Sequence, residues 1–313
     1  MMRATLAPET DGRSSVVSSS AVARALGRRG CDYLMLTKPR IAIMALFTVA
    51  IGYLLAAGPQ AQFRVLLHTL VGASLVAAGG SALNQLLERR TDARMRRTAN
   101  RPLPAGRLRP EEVAAFGATL SGAGLAYLAA TVPAAATIAA LLTLVLYVLV
   151  YTPLKQVTSW NTVVGAVPGA LPPVIGWCAA GSIADVRRGV ILFLILFLWQ
   201  LPHFFAIAWM YRSEYRTAGY RMLPGQDPQG IRTAIAMILT ASLLLVASLA
   251  TVPLGLTSWF YAAGATAVGI WFVRQTIRFG QDRTDGTAKR VLRASLVYLP
   301  AVLGLLVLDA LLG

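Results

Sequence analysis

Charge is scarce in this 313-residue chain: 13% of residues are charged, and only 13 are acidic against 29 Lys and Arg. Too few polar groups are present to cover a soluble domain of this size, and with 56% hydrophobic residues the composition is that of a membrane protein. Cysteine is nearly absent. Cys31 precedes the first apolar run and Cys178 lies inside the fifth, so neither a disulfide framework nor a cysteine metal cluster is expected. From Lys38 onward there is also no linker long enough to separate two soluble domains. A net charge of +16 can indicate nucleic acid, but here most of the arginine sits in short stretches between apolar runs. Membrane topology accounts for that pattern, and nucleic acid is not an expected partner.

What the chain does have is long apolar runs. A hydrocarbon core of about 30 Å needs about 20 apolar residues per helix, because backbone polar groups must be satisfied within the segment. Nine runs meet that need, at residues 41–58, 65–87, 111–130, 134–153, 163–180, 189–211, 234–253, 259–273 and 291–312. The expected fold class is therefore an all-α polytopic membrane protein. Of the 29 Lys and Arg, all but Arg64, Arg187 and Arg188 fall before the first run or after an even-numbered one. The positive-inside rule then puts the amino terminus and those loops in the cytoplasm. Residues 1–32, rich in Ser, Ala and Arg and without an apolar core, read as a disordered cytoplasmic tail; Glu9 and Asp11 break the acid-poor pattern of a transit peptide. Residues 33–313 read as one transmembrane domain.

The chemistry-bearing residues gather at the ends of even-numbered runs. Asn84, Glu88 and Asp92 are spaced i, i+4, i+8 and share one helical face. Hard oxygen ligands suit Mg²⁺, which takes one or two carboxylates and completes its shell with water and substrate phosphates. These carboxylates can instead simply balance neighbouring arginines on a solvated helix. The cationic continuation, with Arg97 and Arg101, favours the phosphate reading, since phosphate oxygens call for both metal and guanidinium.

After the fourth run, Tyr151-Thr-Pro-Leu-Lys155 through Trp160-Asn161 offers one lone cation, either a phosphate grip or a topological anchor. Pro168, Pro172 and Pro173 with nearby glycines predict a kinked fifth span, from a cavity wall or from close packing. The sixth run closes on Trp199-Gln-Leu-Pro-His203 and continues to Tyr211-Arg212-Ser-Glu214-Tyr215. His203 lies about 11 residues, roughly 16 Å of helix, inside Glu214, and can ligate haem iron, handle a proton or serve as a hydrogen-bonded structural residue. Glu88-Arg-Arg-Thr91 has a faint echo in Glu214-Tyr-Arg-Thr217, with Ala218 where Asp92 would be matched. A transporter would instead keep its site near the midplane among inverted repeats.

Over residues 33–313 the chain resembles the UbiA-type intramembrane aromatic prenyltransferases, and within them the haem-farnesylating branch. The resemblance rests on Asn84, Glu88 and Asp92 followed by Met95, Arg97, Thr98, Asn100, Arg101 and Pro102. It also rests on Leu36-Thr-Lys38-Pro39-Arg40, Tyr151 to Asn161, and Trp199 to His203 running on to Tyr215 and Met222-Leu-Pro224. Many quinone-type relatives carry an Asp-rich second motif where this chain has only Glu214.

The resemblance implies about nine helices around a central cavity, in a multi-pass protein of the bacterial cytoplasmic (inner) membrane. It implies farnesyl transfer from farnesyl diphosphate to a vinyl group of haem B (protohaem IX), giving haem O; the alternative acceptor is another aromatic such as a quinone precursor. Mg²⁺ is the expected cofactor, held by Asn84, Glu88 and Asp92. Arg97, Arg101, Tyr151, Lys155, Asn161, His203, Arg212, Glu214 and Tyr215 are expected around the diphosphate and haem, with Lys155 and His203 also counted as catalytic. Besides substrates and the lipid bilayer, a downstream haem-modifying enzyme or oxidase assembly is the expected partner.

Overall fold

The computed structural model describes residues 19–181 and 186–312, and these are almost entirely helical. Residues 1–18 of the expected tail lie outside the described residues; helix α1, Ser19–Leu36, takes up the remainder and enters the domain.

Eight segments are long and apolar enough to cross a membrane: Pro39–Gln60, Phe63–Asp92, Pro110–Thr131, Ala134–Leu154, Asn161–Ala179, Val186–Met210, Ile231–Leu249 and Asp285–Leu312. They correspond to eight of the nine expected runs. The other run forms a helix too, Trp259–Asp282, but its apolar stretch is short and the last three turns carry Arg274 and Arg278. Nine spans is thus an approximate count.

The helices used below are α2 (Pro39–Ala57), α3 (Phe63–Asp92), α4 (Pro110–Thr131), α5 (Ala134–Val145), α6 (Thr152–Leu154), α7 (Asn161–Ala170), α8 (Pro172–Ala179), α9 (Val186–Met210), α10 (Arg212–Ala218), α11 (Ile231–Leu249), α12 (Trp259–Asp282) and α13 (Asp285–Leu312). Consecutive long helices pack against one another, α9 packs on both α11 and α13, and α13 returns to touch α2. One core joins α7, α9, α11, α12 and α13 around Phe272, Phe279, Tyr298 and Leu303; a second joins α2 to α5 and α8 around Tyr53, Leu128 and Ile175.

Small residues set how closely the spans approach. A Cβ added at Gly124 of α4 would stand 2.8 Å from the Val76 nitrogen and 2.9 Å from the Gly72 oxygen of α3. The α3–α4 pair is held backbone to backbone, the device of helices that gain nothing from burying apolar surface against apolar lipid. Large aliphatic residues such as Ile41, Leu149 and Val246 point outward. The predicted kink in the fifth span is present: the helix breaks at Leu171, and Pro172 starts α8.

Two irregularities place functional side chains. The α5 span passes through a π-helical stretch, Leu146–Tyr151, before α6. Thr152 Oγ1 donates to the Tyr147 carbonyl at 2.8 Å, the five-residue reach of a π-turn. Lys38, just before Pro39, adopts a left-handed conformation with φ of 48°. A non-glycine residue holds that conformation only where its surroundings enforce it.

Candidate active site

Helix α3 runs unbroken through Asp92, so Asn84, Glu88 and Asp92 do share one face, and all three are buried. Buried carboxylates require partners, and each of the three side chains has a different cation. Lys38 Nζ donates to Asn84 Oδ1 at 2.9 Å, Lys155 Nζ to Glu88 Oε1 at 2.6 Å, and Arg101 Nη1 to Asp92 Oδ2 at 2.6 Å. The cations come from three separate pieces of chain: the turn before α2, the turn after α6, and the 93–109 loop.

Each cation is steered by local structure. Pro39 starts α2 and turns Lys38 back toward α3, and Gln85 Nε2 fixes that turn by donating to the Leu36 carbonyl at 2.9 Å. The Asn84 amide donates to Thr152 Oγ1 at 3.0 Å, tying α3 to the π-turn that presents Lys155. Lys155 also lies 4.4 Å from the Tyr151 ring centroid, a cation–π contact. Thr98 Oγ1 donates to the Asp92 carbonyl at 2.8 Å and folds the loop so that Arg101 comes back onto its own helix end.

The electrostatics follow from burial. Burial and the nearby Arg101 guanidinium lower the Lys38 amine to about 7. Burial also works against the charge on Lys155, but Tyr151 and the Glu88 carboxylate outweigh it and keep the amine well above its usual value. Burial and Glu88 push the Tyr220 phenol up, so it stays protonated. Its hydroxyl lies 2.8 Å from Thr91 Oγ1, closing one side of the site.

The second loop, after α9, packs directly on the first. Met95 sits in a small cluster with Ala208, Ala218, Tyr220 and Met222. Arg97 lies 4.8 Å from the Tyr211 ring centroid and 5.8 Å from that of Tyr215, and donates to the Tyr215 hydroxyl at 3.1 Å. Asn161 is fully buried and donates to the Arg221 carbonyl at 3.0 Å, while the Arg221 N–H donates to the Lys155 carbonyl at 2.8 Å. Asn161 therefore braces the second loop against the Lys155 turn.

Three expected residues stand apart from this cluster. Arg212 pairs with Asp285 at 2.6 Å and donates to the Trp209 carbonyl at 2.7 Å, which ties α10 to the start of α13. The Glu214 carboxylate has no hydrogen-bonded or ion-pair partner among the described residues. His203 lies deeper in α9 against α13: its Nδ1 is 2.7 Å from Ser295 Oγ and its ring stacks on Trp199 at 5.0 Å. Trp199 Nε1 donates to the Ser295 carbonyl at 2.7 Å, holding the indole in place. Nε2 of His203 has no hydrogen-bond partner among the described residues.

Lys38, Thr152, Gln85 and Tyr220 are not singled out by the sequence as site residues. For Lys38 the available signal is its place as the cation immediately before the proline that starts the first span. Thr152, Gln85 and Tyr220 act through tertiary contacts and leave no such mark.

Two carboxylates and an amide, ringed by cations at the mouth of a helical bundle, can exchange partners with a metal-bound polyphosphate: metal to the oxygens, cations to the phosphates. Among the described residues no three His, Cys, Asp or Glu side chains converge, so the acidic ligand set is these two carboxylates. Their fit to Mg²⁺ lies in the donor chemistry, hard oxygens with room in the shell for water and phosphate.

Comparison with known proteins agrees with the fold. The sequence pattern of the UbiA prenyltransferase family matches residues 45–297. The chain is 44% identical over 281 residues to the protoheme IX farnesyltransferase of Opitutus terrae, covering 90% of this chain and 95% of that one. Among solved structures, one described for digeranylgeranylglyceryl phosphate synthase in membranes superposes with a TM-score of 0.78 at 20% identity, covering 91% of this chain and all of that one. A UbiA homologue from Archaeoglobus fulgidus bound to DMAPP and Mg²⁺ gives 0.62 at 17% identity, covering 88% and 99%.

Proposed function

The chain belongs to the UbiA prenyltransferase family, and on that premise we propose that it transfers the farnesyl group of farnesyl diphosphate to a vinyl group of protohaem IX, releasing diphosphate and giving haem O. It is a multi-pass integral membrane enzyme. The observation that carries the donor half is the pairing of Asn84, Glu88 and Asp92 with Lys38, Lys155 and Arg101. Support for the acceptor half is the 44% identity to a protoheme IX farnesyltransferase over nearly the whole chain.

Asn84, Glu88 and Asp92 would hold Mg²⁺, which when bound neutralises charge on the diphosphate. Lys38, Lys155 and Arg101 turn from α3 to the diphosphate oxygens and stabilise the negative charge that develops as the allylic C–O bond breaks. Tyr151 places its aromatic face beside Lys155, and Tyr211 and Tyr215 place theirs beside Arg97. Packing of the two loops through Met95, Tyr220 and Met222 screens the allylic cation from water. The terminal carbon of a haem vinyl group bonds to that cation, and water then adds to the vinyl carbon next to the ring and gives up a proton to the released diphosphate. His203, with Nδ1 held by Ser295, presents Nε2 for haem iron and so positions the acceptor.

The bias of Lys and Arg supports a site at the cytoplasmic face with the amino terminus on that side, and the proposed location is the inner membrane of a bacterium. In this reading residues 33–313 make one transmembrane domain, and the product passes to a haem-modifying enzyme or oxidase assembly.

The test is chromatography of haems from membranes expressing the chain, with Asp92→Ala as control. Haem O appearing with the intact protein alone supports the reading. Unmodified protohaem in the presence of folded protein and farnesyl diphosphate overturns it in favour of an aromatic acceptor such as a quinone precursor.

A further inference from the structure

Five arginines at the loop-rich end have an acidic or aromatic partner. Arg101 pairs with Asp92, Arg107 with Asp32, Arg29 with Glu112 and Arg212 with Asp285, and Arg97 lies over two tyrosines. Arg89, Arg90 and Arg94 differ. Together with Leu87, Thr91 and Gln156 they line an open cavity of about 470 Å³ that contains no carboxylate. Arg89 donates to the carbonyl of Leu86, one turn back on its own helix, which leaves its charge unneutralised. Arg90 and Arg94 have no hydrogen bond or ion pair among the described residues, and both are exposed.

This cavity opens on the other side of α3 from the catalytic carboxylates and shares only Thr91 with the site. Arg90 is two residues out of phase with both Glu88 and Asp92. At about 100° per residue it faces away from them around α3. The cavity also lies where the apolar part of α3 ends. Leu87 in its wall is 45% exposed, and beside Gln156 the chain continues to Val157 and Trp160, exposed by 61% and 68%. Three unneutralised guanidiniums beside exposed Leu87, with exposed Val157 and Trp160 on the segment that continues from Gln156, match an amphiphile with an anionic head. A free anion has no use for these apolar side chains.

We propose that the Arg89, Arg90 and Arg94 cavity binds the phosphodiester headgroup of an anionic glycerophospholipid, whose acyl chains lie along Leu87, Val157 and Trp160. Guanidinium pairs with phosphate oxygens by charge-assisted hydrogen bonds. The lipid so held packs against α3 and the Lys155 turn without entering the catalytic cluster.

The experiment uses the full-length protein, delipidated in neutral detergent, and competes phosphatidylglycerol against phosphatidylcholine of the same acyl chains, with retained lipid counted by native mass spectrometry. Wild type should retain phosphatidylglycerol selectively, and 10 mM inorganic phosphate, on the order of a routine buffer, should not displace it fully. At about fivefold per surface arginine, Arg89→Gln/Arg90→Gln/Arg94→Gln should lose roughly 100-fold of that preference, while Arg274→Gln/Arg278→Gln on α12 keeps it. Arg90→Gln and Arg94→Gln singly change exposed side chains and should each show about one fivefold step. Equal retention of the two lipids, an unchanged preference in the triple variant, or complete displacement by inorganic phosphate would each overturn the proposal.

Discussion

Lys155→Met is the most demanding test of how the site is held together. Its Nζ stands 2.6 Å from Glu88 Oε1, and the two side chains are only 12% and 7% exposed. At an effective dielectric of about 20, that separation corresponds to about 6 kcal/mol of direct attraction. Much of it is offset by the cost of taking both charges out of water, so the pair adds little net stability. Removing one partner is different: it leaves the other buried and uncompensated, at about 3–5 kcal/mol. Lys155→Met and Glu88→Gln should each destabilise the protein by that amount. The double variant should return to within about 2 kcal/mol of wild type, a coupling of several kcal/mol. Unfolding in mixed micelles, followed by tryptophan fluorescence, measures all four proteins. Turnover should be lost in all three variants, because the reaction needs the same side chains that the double variant removes. Losses that add to within about 0.5 kcal/mol would refute the coupling and with it the tertiary pairing of Lys155 with α3.

Asp92→Ala should insert normally and lose turnover on the order of 100-fold or more, several kcal/mol of charge stabilisation; full turnover at saturating Mg²⁺ would remove Asp92 from the ligand set. Lys38→Met should weaken use of farnesyl diphosphate by about 10- to 150-fold, given about 1.5–3 kcal/mol for a hydrogen bond to a charged group, with folding intact by thermal shift; an unchanged kcat/KM for the diphosphate would confine Lys38 to a structural role. His203→Ala should alter the spectrum of bound haem and reduce turnover, and an unchanged spectrum and rate would mark it as a structural partner of Ser295. At the opposite end of the bundle, Asp309 accepts hydrogen bonds from the Ser258 N–H and hydroxyl and so caps α12 from α13. Asp309→Ala should cost about 1–2 kcal/mol while leaving activity per folded molecule unchanged, and an activity loss larger than the loss of folded protein would contradict that.

Part of the site is written in local order. Spacing puts Asn84, Glu88 and Asp92 on one face because the helical repeat is a property of the backbone, and Arg101 is close enough in sequence to fold back through the Thr98 turn. Lys155 stands out as the lone cation after a span. Lys38 does not: its role depends on a left-handed backbone and on Gln85 fixing the Leu36 carbonyl, neither of which has a sequence signature. Arg212 and Asn161 look alike in sequence as polar residues at span ends, yet one is drawn off to Asp285 and the other braces the Lys155 turn.

The sequence by itself determined that the chain is a bundle of membrane-spanning helices, because continuous apolar runs of about 20 residues satisfy their backbone hydrogen bonds in hydrocarbon by coiling into helices, and it determined which helix carries the acidic face. It also showed that the fifth span is kinked near Pro168, Pro172 and Pro173, whereas only the structure shows that the helix runs past Pro168 and breaks at Leu171. Tertiary structure alone decided which cation meets which oxygen. Those pairings join residues 46 and 67 positions apart, and a buried charge takes whichever partner the packing of α2, α3 and the π-turn brings within reach.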